Sequence, residues 1–66
     1  MLPQKKFFID RRIPVIEVSR RIGRSQIYCY AVLNGRISPA KPTMDLIDAL
    51  IAEIEREEAR GESSHA

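Results

Sequence analysis

The chain holds one cysteine, one histidine and no tryptophan, and its apolar runs are only a few residues long. Each scarcity removes a class of protein. A single cysteine, Cys29, rules out an internal disulfide. The single histidine, His65, lies in a polar stretch and has no second ligand at zinc spacing, so no metal or other cofactor is expected. No apolar run is long enough to span a bilayer. No segment alternates apolar and polar residues with period two, which predicts no strand. No nucleophile has a base beside it and no titratable cluster falls outside helix surfaces, so neither an enzyme nor a small-molecule site is expected. A lone thiol without a signal-peptide pattern fits a reducing cytoplasm.

The 66 residues present limit the fold to one small domain with a modest core. Without disulfide or metal, oligomerisation is the expected source of extra stability. Net charge is +2 but unevenly placed. Residues 1–36 set eight Lys and Arg against Asp10 and Glu17, a net of +6. Residues 37–66 set Lys41, Arg56 and Arg60 against seven carboxylates, a net of −4. One half suits a polyanion and the other does not.

Proline and glycine punctuate four helices. Pro3 opens the first, with Phe7, Phe8 and Ile9 as its apolar face, and Pro14 forces a stop near Arg12. The second runs from Pro14 to Ile22, with Val15, Val18 and Ile22 at helical spacing beside small Ser19. Gly23 closes it in a left-handed conformation. Ser25 caps a third helix from Gln26 to Asn34. There Cys29, Val32 and Leu33 share one face, Ile27, Ala31 and Asn34 lie opposite, and Tyr28 and Tyr30 flank them. Asn34-Gly35 ends it, and Arg36-Ile37-Ser38-Pro39-Ala40-Lys41-Pro42 reads as a loop. The fourth helix starts near Pro42 or Thr43 and ends near Arg60, with Met44, Ile47, Leu50, Ile51 and Ile54 as its stripe. The expected fold is all-α: a small bundle of four, at most five, helices.

Two short helices joined through Gly23-Arg24-Ser25 form a helix-turn-helix. Its tight crossing needs a small residue, Ser19, and a residue that tolerates positive φ, Gly23. The second helix then presents one packed face and one free face, and the free face fits the major groove. Ile13, Val18, Ser19, Ile22, Gly23, Ser25, Gln26, Cys29, Val32, Asn34, Gly35 and Arg36 follow one another here without a gap. In this the stretch resembles the phage repressor/Cro, or Xre-type, family of helix-turn-helix proteins. It departs from the family at Pro14, where a Ser, Thr or Asn cap is usual. It also departs at Val15, where many members carry a glutamine that braces the recognition helix.

The resemblance implies a lambda-repressor-like domain over residues 1–60 with its motif at 14–34, followed by a disordered tail over 61–66. It implies a phage or prophage-type transcriptional regulator, at the nucleoid of a bacterial cell, bound to double-stranded DNA as a homodimer on an inverted repeat. Base contacts would come from Gln26, Ile27, Tyr28, Tyr30 and Ala31. Phosphate contacts would come from Arg24, Ser25, Asn34 and Arg36. Ile54, far along the stripe of the last helix, is the candidate dimer-interface residue. The other reading keeps the fold without the DNA: an antitoxin-like or adaptor module that docks a protein on Ile27, Tyr28 and Tyr30.

Overall fold

A computed structural model describes residues 1–65, with side chains through Gly61. Four helices follow one another: α1 (Pro3–Asp10), α2 (Val15–Ile22), α3 (Gln26–Leu33) and α4 (Lys41–His65). No strand occurs among the described residues. The expected all-α bundle is therefore present, with four helices.

Each of the first three helices is eight residues long. Helices that short are marginal alone in water, so packing holds them. The core joins Phe8 of α1, Val18 and Ile22 of α2, Cys29, Val32 and Leu33 of α3, and Ile47, Leu50 and Ile54 of α4. Met44, Ile51, Val15, Ile13 and Phe7 pack around it half-buried. The stripes expected for α2, α3 and α4 thus meet at one centre. Ile9 does not join: it is 55% exposed, because α1 turns Phe8 inward and leaves Ile9 on the outer side.

Helix ends follow their chemistry. Pro14 is the N-cap of α2, one residue outside the expected start, in an extended conformation. Gly23 sits at φ 71°, and the Gly23 and Arg24 amides both return to the Ser19 carbonyl at 3.0 and 3.1 Å. Gly35, at φ 76°, closes α3 in the same way: its amide donates to the Val32 carbonyl and that of Arg36 to Ala31. These bonds are the Schellman closure that left-handed glycine permits. α1 ends likewise, with the Ile13 amide on the Phe8 carbonyl, but the left-handed residue is Arg12, at φ 57°. That conformation costs a non-glycine residue about 1–2 kcal/mol.

Two expectations about α4 need correction. It begins at Lys41, so Pro42 lies inside the first turn, where its missing N–H leaves no bond unmade. It also runs through Gly61 to His65 instead of ending near Arg60. Gly61 does not take a positive φ, and a helical glycine costs only about 1 kcal/mol against alanine. The tail expected over 61–66 therefore overlaps the last turns of α4, and Ala66 lies outside the described residues.

The two glycines should respond oppositely to alanine. Gly23→Ala should lower unfolding stability by about 1–2 kcal/mol, although a Cβ there meets no atom within 4 Å, because the strain lies in the backbone. Gly61→Ala should raise stability by up to about 1 kcal/mol. Urea titration of both variants checks the pair, and equal effects would mean that α4 does not continue as described.

Candidate nucleic-acid interface

The α2–turn–α3 unit is fixed from three directions. Ser19, 7% exposed, is buried on α2, which packs against α3, and its hydroxyl is satisfied by the Ile16 carbonyl at 2.7 Å. Its small size lets the two helices approach. Ser25 caps α3, its Oγ accepting from the Tyr28 amide at 3.1 Å. The Leu2 amide donates to the Leu33 carbonyl at 3.0 Å, which ties the N-terminal segment to the far end of α3.

With one face of α3 in the core, its other face is open. Ile27 is 84% exposed and Tyr30 49%. Gln26, Ile27, Tyr30, Ala31 and Arg36 line one shallow depression on that outer face. Five of the residues expected at the site are thereby brought together. Arg36 reaches it because its own amide bonds back to the Ala31 carbonyl, folding the chain along the helix. Arg24 and Ser25 lie exposed at the N-terminal end of α3. The Arg24 guanidinium bonds the Gly23 carbonyl at 3.3 Å, and neither Arg24 nor Arg36 meets a carboxylate among the described residues. The Ser25 oxygen accepts one bond at the cap, which leaves its O–H free to donate outward.

Three site expectations are revised. Tyr28 does not belong to the open face: it packs half-buried against the core, and its hydroxyl donates to Thr43 Oγ1 at 3.3 Å. A 3.6-residue period turns it toward α4, whereas Tyr30 is carried to the other side. Asn34 is spent on the helix end: its Nδ2 donates to the Tyr30 carbonyl at 2.8 Å, and its Oδ1 accepts from Lys5 Nζ. Ile54, the expected interface residue, is 9% exposed within the subunit core. It follows Leu50 and Ile47 on the inward stripe, so the core reaches further along α4 than the spacing suggested.

Lys5 is the residue that sequence reasoning passed over. Its ammonium stands 5.6 Å from the Tyr30 ring centroid, above the open face, while bonded to Asn34. Only the return of the N-terminal segment to Leu33 places it there, and no local motif announces that contact. Lys5 and Arg36 therefore flank one end of the open face, and Arg24 and Ser25 the other. Cys29 lies behind it, 1% exposed. Burial pushes its thiol above the ordinary value, against a weaker opposing pull from the Arg24 guanidinium. The protonated thiol is thus favoured by folding, and that contribution falls as pH rises into the thiol range.

The Ser25 cap separates folding from any outward role. Ser25→Ala should cost about 1 kcal/mol of stability, and Ser25→Asp should keep the cap and the stability. Thermal unfolding of both decides, and an unstable aspartate variant would mean that the hydroxyl does more than accept from Tyr28. No family model, curated protein or solved structure matches the chain, so the site is read from its own geometry.

Proposed function

We propose that the protein binds double-stranded DNA sequence-specifically, as a transcriptional regulator of the repressor/Cro kind. In this reading α3 enters the major groove. The supporting observation is the outer face of α3: an open helix surface, backed by α2, with cations at both ends that meet no carboxylate among the described residues. A major groove is wide enough for such a helix, and phosphates line both its edges. Gln26 would bond an adenine edge, and Arg24, Ser25, Arg36 and Lys5 would hold phosphates. Asn34 serves indirectly, by seating Lys5.

Two copies would bind an inverted repeat with half-sites about one helical turn apart. With Ile54 buried, the pairing surface falls on the outer side of α4. Glu53, Arg56, Glu57 and Arg60 line one shallow surface there with Ala59. Within the helix the like charges stand four apart, Glu53 with Glu57 and Arg56 with Arg60, and the opposite charges three apart, Glu53 with Arg56 and Glu57 with Arg60, so the helix alone leaves them close to balance. None of the four has an ion-pair partner among the described residues. An antiparallel second copy, related by a two-fold axis between positions 56 and 57, sets Glu53 opposite Arg60 and Arg56 opposite Glu57. Exposed pairs contribute only about 0.2–1 kcal/mol each, so this contact assembles on DNA more than in free solution.

The protein-docking reading rests on the exposure of Ile27 and Tyr30. Salt separates the two. Binding through several phosphates weakens steeply as salt rises, and an apolar protein interface does not.

Selection of bound duplexes from a random pool supplies the probe. On the selected site, Gln26→Ala should weaken binding by about 1–3 kcal/mol and leave non-specific binding nearly unchanged. Arg36→Ala should weaken binding to all duplexes and lower the salt slope by about one. A pool that yields no preferred sequence sinks the reading. For assembly, Arg56→Glu should abolish cooperative binding to the two half-sites, and Arg56→Glu with Glu57→Arg should restore it. A double variant no better than the single removes α4 pairing.

A further inference from the structure

Resting on that DNA-binding reading, we infer that α3, beside its Gln26 contact, reads C5 methyl groups of pyrimidines, seated against Ile27, Ala31 and the ring of Tyr30. The groups meant are those of thymine or 5-methylcytosine. The open face holds little else that can read a base. Of the side chains lining its depression, Gln26 alone carries an amide, and Arg36 comes from beyond the helix end. Asn34, the remaining outward amide of α3, is consumed by Tyr30 and Lys5. Tyr28 is turned toward Thr43. What faces outward at the centre is hydrocarbon: Ile27 at 84% exposure, Ala31 one turn on, and the Tyr30 ring beside them.

The positions of these groups suit a methyl. Ile27 and Ala31 are four residues apart and so share one side of the helix. Both line the same shallow depression, with Gln26, Tyr30 and Arg36. Tyr30 also lines it, with the Lys5 ammonium standing over its ring. In the major groove the one apolar group on a base edge is the pyrimidine C5 methyl, which cytosine and the purines lack. Arg24 and Arg36 at the two ends of the patch meet no carboxylate among the described residues, which favours a polyanion over an apolar protein surface. A hydrogen-bonding reader rejects a changed donor pattern. This face would respond instead to the presence of a methyl, whichever pyrimidine carries it.

The experiment uses the full chain and the duplex selected from the random pool. Each thymine is replaced in turn by deoxyuridine, which removes the methyl and nothing else. Each T·A pair is also replaced in turn by C·G and by 5-methylcytosine·G, which differ from each other by one methyl. Affinity is read by fluorescence anisotropy for the wild type and for Ile27→Ala, a variant whose exposed position leaves the fold intact. The expected result is at least one thymine per half-site whose replacement weakens wild-type binding about fourfold, the effect of one buried methyl-sized group. Ile27→Ala should bind the thymine and uracil duplexes equally. At those same positions a 5-methylcytosine duplex should exceed the unmethylated cytosine duplex by a similar factor. Sequence-specific binding that ignores every uracil replacement overturns the methyl inference and leaves the DNA reading standing. Loss at uracil that persists unchanged in both Ile27→Ala and Ala31→Gly assigns the methyl to other residues and overturns it too. A protein with no sequence preference overturns both.

Discussion

The crossing of α2 over α3 is the contact on which the rest depends. α3 is an eight-residue segment rich in aromatic and β-branched side chains, with no intrinsic claim to be a helix. It becomes one because Cys29, Val32 and Leu33 bury against Val18, Ile22 and the α4 stripe. Ser19 sets how close the two backbones come, and Gly23 sets the angle at which the chain leaves one helix for the other. The same burial defines the open face. Once three positions of α3 are fixed inward, the helical period leaves Gln26, Ile27, Tyr30 and Ala31 no direction but outward.

Where a local rule governs a feature, the chain states it openly. Pro3, Ser25, Gly23 and Gly35 mark their helix ends, and the inward stripes of α2 and α3 follow from spacing alone. Features set by distant contacts are silent. Nothing near Lys5 indicates that it will stand over Tyr30, because that depends on the Leu2–Leu33 hydrogen bond. Nothing near Asn34 says that its amide will be spent on a lysine 29 positions earlier. The left-handed turn at Arg12 is also hidden, since arginine gives none of the signal that glycine does. Ile54 misleads for a different reason: a stripe of fixed period shows which face is apolar, not how far along it the neighbouring helices reach.

Charge is divided as cleanly as shape. The ends of the open face carry cations that find no carboxylate among the described residues, whereas carboxylates concentrate on α4. Two of them bond across elements, Asp48 with Gln4 at 3.4 Å and Glu58 with Arg11. Arg11 forks onto Glu58 at 2.9 and 3.2 Å while its guanidinium lies 3.6 Å from the Phe7 ring centroid. That pairing steadies α4 beyond its last core residue, Ile54, and occupies one cation. The cations left unpaired near α3 gain most from an anionic surface.

The N-terminal tie to α3 has a practical side. Met1 lies so near Gly35 that a Cβ on that glycine would stand 3.4 Å from the Met1 backbone nitrogen. Any residues placed ahead of Met1 therefore emerge beside Lys5 and Arg36, at the mouth of the open face. A purification tag, a fluorophore or a surface tether attached there would stand in the path of whatever approaches α3. The same attachment at the far end of α4, more than three turns beyond its last core contact at Ile54, leaves that approach clear. The folding of the chain thus makes its two ends unequal as handles, and the choice between them is also a choice of whether α3 can be reached.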